Sequence, residues 1–326
     1  MAQPNLEKFK RRGLALALRS SANTAVTPTA AANGILLFDG SSGTEFDKIE
    51  RPVDTPHLGN TPFAVGDKRA FIEGTFELYP PATPGASATS DADCGVLLLP
   101  AGMAVVKDNV AKTTRYNPVS SGIAISDAKW WHAGLLKSVI AARHNISQLG
   151  ITIGDRCTGQ IRIQGEYTTV TEDALPSITV PATVPVVARH DNTVTKVSVA
   201  GGADLTVWAK SLVIDFGNTI GTKEFSSHKE TGISDRQATF TLRIAKTALG
   251  DFNPWAVRDA ASVFEASMRT SQSGNLYTEL GIRGQIETIN EVDIDGDYGW
   301  ELSGPCVPSS LGGDEFYVEF GDTTAP

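Results

Sequence analysis

The stretch NEVDIDGDYGWE, from Asn290 to Glu301, sets Asp293, Asp295 and Asp297 at alternate positions, with Gly296 between two of them. Two readings compete for it. A helix-loop-helix calcium loop needs alternating acids at its start, a Gly at its sixth position and a Glu at its twelfth. Counted from Asp293, the sixth residue is Tyr298 and the twelfth is Gly304, so the spacing fails. Spacing does not speak to an oxygen cage assembled from distant segments. The second reading is a hairpin, because Asp-Gly between alternating segments is a turn signal. With Asp295, Gly296 and Asp297 at an odd-length tip, Val292 and Ile294 share a face with Tyr298, Trp300 and Leu302. Glu291, Asp293 and Glu301 then share the other face. A two-residue loop mixes the faces, since a shift of one residue moves every side chain across the sheet. The expectation is two strands with an apolar side and an acidic side.

The same period of two recurs along the chain. Arg69 to Tyr79 places Ala70, Ile72, Phe76 and Leu78 on one face, and Ala238 to Ala245 does so with Phe240, Leu242 and Ile244. Gly159 to Tyr167 alternates through Ile161 and Ile163, and Glu315 to Phe320 through Phe316, Val318 and Phe320. β-Branched and aromatic residues at this period predict strands. Helical patterns are few. Asn253 before Pro254 reads as a cap and first turn, with Trp255, Ala256, Val263 and Phe264 as an apolar side. Cys94 to Val106 is a short apolar run interrupted by Pro100. Lys129 to Ile140 fits helix or strand. Gly40 to Gly66, Pro80 to Asp93 and Ala174 to Thr193 read as loops or linkers.

The chain has 326 residues, 41% of them hydrophobic and 20% charged, with a net charge of −9. It is long enough for two domains with real cores. The acidic balance opposes general nucleic-acid binding, which needs a basic surface to displace counterions. Three dispersed cysteines without a CxxC pair predict neither zinc nor a disulfide framework. The apolar run Gly13 to Leu18 is too short for a secretory core segment, and no run is long enough to span a membrane.

A weak repeat runs through the chain. GDKRAFIEGTFEL follows ILLFDG in the first half, and SDRQATFTLRI follows SLVIDFGN in the second. GQIRIQGEY and GQIETINEVDI come next. This order predicts an N-terminal arm (1–34), a first domain (35–185) and a second (186–326).

Catalytic motifs are missing. There is no HExxH, GxSxG, P-loop or GxGxxG. The histidines are scattered: His57, His132, His144, His190 and His228. Trp130, Trp131 and His132 form the one tempting cluster, a stacking platform for sugars or else ordinary packing.

The ordered pattern resembles the major tail tube proteins of long, non-contractile-tailed bacteriophages. It is carried by FKRRGLALALRSSANTAVTPTAAANGILLFDG, DTPHLGNTPFAVGDKRAFIEGTFELYPPATPG, CGVLLLPAGMAVV, TTRYNPVSSG, WWHAGLL, ARHNISQLGITIGD and GQIRIQGEY, then ISDRQATFTLRI and GDEFYVEFGD. The resemblance implies a mainly β fold with short flanking helices. Two tandem sandwich-like or half-barrel domains would join their inner sheets between subunits into a large barrel. It implies a structural virion protein, assembled in the host cytoplasm, without catalysis or cofactor. Its partners would be its own copies and other tail proteins at the tube ends. DNA would pass through the lumen without specific binding, and no membrane is involved. Three chains with two domains each would give a ring of pseudo-six-fold symmetry; six chains per ring is the alternative. Glu291, Asp293 and Glu301 are expected to face the lumen. Phe46, Ile49, Pro52, His57 and Phe63 are expected in an inter-ring loop, and Lys8, Lys10, Arg11 and Arg12 in arm contacts. The competing functions are a carbohydrate-binding or glycan-active β-sandwich around Trp130 and Trp131, and a monomeric adhesin.

Overall fold

The structure is a computed structural model, and it describes residues 12–21, 24–50, 63–86, 94–178, 185–226, 228–309 and 312–324. In chain order the first-half elements are β1 (Arg12–Leu18), α1 (Ala30–Asn33), β2 (Gly34–Ile35), β3 (Phe38–Ile49), β4 (Ala64–Glu77), α2 (Gly95–Leu98), β5 (Met103–Asp108), β6 (Thr113–Pro118), β7 (Ser126–His132), β8 (Leu135–Thr152), β9 (Thr158–Tyr167) and β10 (Thr171–Glu172). The second half holds β11 (Thr193–Val199), β12 (Leu205–Val207), β13 (Ala209–Asp215), β14 (Asn218–Phe225), β15 (His228–Arg236), β16 (Thr239–Ala245), α3 (Pro254–Asp259), β17 (Phe264–Ser271), β18 (Leu276–Gly284), β19 (Thr288–Ile294), β20 (Asp297–Pro305) and β21 (Phe316–Asp322).

The fold is mainly β, as the alternation predicts. A 12-stranded sheet and a 7-stranded sheet enclose one core, and β14–β15 forms a separate hairpin. Ala70, Ile72, Phe76, Leu242, Ile244 and Val318 are all buried, each on the face its pattern assigns. Rings from the two sheets meet inside, Phe216 with Phe316 at 4.6 Å and Phe240 with Phe264 at 6.0 Å between centroids. The smaller sheet runs β12-β11-β17-β18-β21-β6-β5, so the C-terminal β21 sits beside β6 of the first half. Both sheets therefore cross residue 185 without a break.

Several expectations are corrected. The opening stretch closes through a two-residue loop, with Ile294 opposite Asp297. Asp295 (φ 56°) and Gly296 (φ 96°) both take the left-handed conformation that such a turn requires. The Gly296 N–H also donates to the Asp293 carboxylate at 2.7 Å. The faces therefore mix. Glu291 lies opposite Trp300 and Asp293 opposite Tyr298, whereas Glu301 pairs with Asn290 on the other face.

β1 is not an arm. It pairs with β7 and β2 and is buried on both faces, Leu14 and Leu16 in the main core and Ala15 against Trp131. A near-continuous apolar run is what burial on both faces demands. Lys8, Lys10 and Arg11 lie outside the described residues, while Arg12 donates to the Gly40 carbonyl. The described residues of the expected loop from Gly40 to Gly66 are strand apart from Glu50 and Phe63, because β3 and β4 pair as far as Ile49 and Ala64.

Asn253 caps α3 as expected, accepting from the Ala256 N–H at 3.2 Å. The helix ends at Asp259, however, and Phe264, Ala266 and Met268 alternate into the core along β17. Lys129 to Ile140 resolves as β7, a turn at Ala133 and Gly134, and β8.

Candidate assembly surfaces

The larger sheet contains a continuous path of strands, β19-β20-β16-β13-β8-β9-β4-β3. A branch through β7, β1 and β2 leaves the first half of β8. On the path, β13-β16-β20-β19 in the second half repeats the order β3-β4-β9-β8 in the first. In this correspondence β9 matches β20, so the sequence pairing of GQIRIQGEY with GQIETINEVDI is one strand out of step. The halves meet where β13 pairs antiparallel with β8, from Ser211 opposite Thr152 to Ile214 opposite Leu149. Among the described residues, the strands at the two ends, β19 and β3, each have a neighbour on one side only.

One face of this path is packed on the core. The other carries Ser, Thr, Asn, Gln and Gly, including Thr241, Ser303, Ser147, Gln160 and Thr75, together with the apolar Phe71, Val213, Val292 and Ile294. Arg69, Arg162 and Arg243 on this face are paired with acids, while Arg143 lies opposite Gln164 and donates to the Ala124 carbonyl. Arg243 binds Glu301 at 2.6 Å from the neighbouring strand. Arg162 binds Glu73 and Glu45 while its guanidinium lies 4.2 Å over the Phe71 ring. Arg69 binds Asp47 at 2.9 Å and Asp67 at 3.3 Å. Glu301 is thus the one member of the predicted acidic trio on this open face. Glu291 and Asp293 stand on the core-side face, beyond its packed part and exposed. There the Glu291 hydrogen bond holds the Tyr298 phenol above its ordinary value.

Of the predicted inter-ring residues, Phe46 and Ile49 lie on β3 and Phe63 just before β4, all exposed. Phe46 and Phe63 stack with centroids 6.0 Å apart. Pro52 and His57 lie outside the described residues. The hairpin β14–β15 leaves the path at the same end as β3–β4, and Lys229 of β15 is ion-paired with Asp67 of β4. Burial opposes the Asp67 charge, but Lys229 and Arg69 outweigh it and hold the carboxyl below its ordinary value.

Trp130 and Trp131 are 2% and 4% exposed, which leaves neither ring open as a sugar platform. The Trp131 indole N–H donates to Asp173 at 2.9 Å. His144 is fully buried between the Ser126 hydroxyl and the Leu97 carbonyl, each 2.8 Å away. Burial pushes the Cys157 and Cys306 thiols up to about 12. Among the described residues no three His, Cys, Asp or Glu side chains converge as metal ligands, and no helix is long and apolar enough to cross a membrane. Sequence reasoning missed Trp208, which is 85% exposed, and Phe225 at the β14 tip. Trp208 has no signal in the sequence that sets it apart, since it stands close to the apolar run Leu212 to Ile214. No protein-family model matches the chain, and no curated protein matches it.

Proposed function

We propose that this chain is the tube-forming structural protein of a long-tailed virion, as its resemblance to major tail tube proteins implies. Three copies join edge to edge into a ring, rings stack into a hollow tube, and DNA passes along the open polar face. The observation that carries the reading is the internal β13–β8 junction. It joins the first strand of one four-stranded set to the third strand in chain order of the other. Applied between copies, the same rule pairs β3 of one chain with β19 of the next. Each chain then supplies eight strands of the path and two tube-like units. Three chains bring about 24 strands, and barrel diameter grows with strand number, so the lumen is wider than any barrel one such chain closes.

The polar face suits the passage of DNA. A basic lining traps phosphates by counterion release, whereas here Arg69, Arg162 and Arg243 already face carboxylates. Both free edges carry acids, Glu45 and Asp47 on β3 and Glu291 and Asp293 on β19, so added salt favours ring closure.

Electron cryo-microscopy of the concentrated protein tests the reading through the ring symmetry. Rings of three chains support it, and rings of six remove the two-unit arrangement. A chain that stays monomeric at every salt and protein concentration overturns the function itself. Glu291→Pro gives the residue-level test. In an antiparallel pair the donors alternate between partner and free edge, and the Ile294–Asp297 closure puts Glu291 in the outward set. The variant is expected to fold as a monomer and fail to form rings, whereas Glu291→Gln forms them.

A further inference from the structure

The two ends of the eight-stranded path are unlike. From one end project β3–β4 and β14–β15, tied together by Lys229 and Asp67 and presenting Phe46, Ile49, Phe63 and Phe225 to solvent. At the other end stands Trp208, between β12 of the small sheet and β13 of the large one. Its carbonyl accepts from the Ala245 N–H at 2.8 Å, and the neighbouring Lys246 N–H donates to the Tyr298 carbonyl at 3.1 Å. These bonds hold the backbone of three strand ends in place, while the Trp208 ring remains 85% exposed and Tyr298 47% exposed. Val194, the residue beyond the Thr195–Val207 pair, extends the patch, and it is half exposed.

We propose that Trp208, with Tyr298 and Val194, is the seat on which the hairpin end of a second copy docks when rings stack. This rests on the tube reading and assigns its axial contact. Three observations select a second copy as the occupant. The exposed Phe46, Ile49, Phe63 and Phe225 and the Trp208 patch belong to one chain and lie at opposite ends of one sheet. A contact between unlike patches is heterologous, and when its rotation does not close it generates a filament. A two-fold contact of Trp208 with its own copy would instead end growth after one pair. Finally, Tyr298 lies on β20, next to the free edge of β19, so the axial seat is continuous with the proposed edge-to-edge contact. Trp and Tyr held on a rigid frame are the residues that dominate such contacts.

The inference also gives β14–β15 a role. It fills the same topological position between β13 and β16 as the β3–β4 excursion does in the first half. Each chain thus sends two hairpins toward the next ring.

The test compares the full chain with Trp208→Ser and Phe225→Ser by electron microscopy and sedimentation. Both side chains are exposed, so both variants should fold; near-ultraviolet dichroism and the melting temperature check this. The expected result is rings of ordinary size that stack poorly, with the concentration needed for tube growth raised about thirtyfold, the effect of losing one aromatic hot spot. Trp208→Phe should recover most of the growth. Normal tubes from both Ser variants overturn the docking seat and leave the tube reading standing. A wild-type chain that forms no rings overturns both.

Discussion

Acid should weaken this fold through one buried imidazole. His144 is 0% exposed, and its Nδ1–H donates to the Leu97 carbonyl while Nε2 accepts from the Ser126 hydroxyl. The site is built for the neutral ring. Burial first, and the Arg143 charge beside it, lower the pKa to about 4 from an ordinary 6.5, against a smaller opposing effect of the Leu97 bond. The folded value is depressed, so between about pH 6.5 and 4 the unfolded chain holds a proton that the folded chain does not. Stability is full above the unfolded value and falls with pH through this window. At roughly 1.4 kcal/mol per unit, the loss between pH 7 and 4.5 is about 2.5 kcal/mol. Carboxylates held low by their partners, such as Asp67, lose their contribution mainly below the window. The assay is the urea midpoint of the dispersed protein across pH 7 to 4.5, beside His144→Gln. The variant should be less stable at pH 7 but should lack the one-proton slope. Equal slopes in the two proteins would show that His144 is not the titrating group.

Three further outcomes follow from local geometry. Asp127 accepts from Arg19 at 2.7 Å and from the Val26 and Ala141 N–H groups at 2.7 and 2.9 Å, with both charged side chains under a tenth exposed. Asp127→Ala should therefore cost about 3–5 kcal/mol in denaturant unfolding, because it takes the carboxylate away from a buried guanidinium and two part-buried N–H donors. A Cβ on Gly281 would stand 2.1 Å from the Tyr317 ring, which reaches Glu279 through its hydroxyl at 2.7 Å. Gly281→Ala should displace that ring and lower stability by roughly 1–3 kcal/mol, read as a fall in melting temperature. On the tube reading, Glu301→Gln should release Arg243 from its ion pair toward the proposed lumen. Tubes of this variant should then retain duplex DNA at about 50 mM salt and release it by about 200 mM, where unmodified tubes retain none.

The core strands are legible because their burial is one-sided. Phe240, Leu242 and Ile244 alternate with residues that meet water, and so do Phe316, Val318 and Phe320. β3 is hidden for the opposite reason. Much of FDGSSGTEFDKI projects beyond the core, so no apolar face marks it, and only its pairing with β4 makes it a strand. β14 and β15 are hidden in the same way, since they pair with each other outside both sheets. The α3 region misled because Val263 and Phe264 fit a helical stripe about as well as the start of an alternating strand. The most consequential misreading was one residue of loop length at Asp295. The signal is in the sequence, since Asp-Gly is the strongest two-residue turn pair, whereas an odd loop gives the cleaner acidic face.

That one residue changes what the acids are for. With the shorter loop, Glu301 faces Arg243 on the open side, so the proposed lining is made inert by pairing charges across the ladder. An unpaired acidic lining would repel DNA, but it would also repel itself as the barrel closed. Paired charges lower both costs, because each of Arg69, Arg162 and Arg243 is matched by at least one carboxylate. Glu291, Asp293, Asp295 and Asp297 gather instead at the Trp208 end, where Asp295 is held by Lys210 at 2.7 Å. On the tube reading that end is a ring-to-ring contact. Its acids then set the salt dependence of stacking, while closure of each ring depends on β3 and β19. The two steps should therefore respond differently to ionic strength when Asp295 and Asp297, which lie off the β19 edge, are both changed to Asn. Stacking should become less salt-dependent, and rings should form as before. Identical salt curves for stacking would place these acids outside the contact.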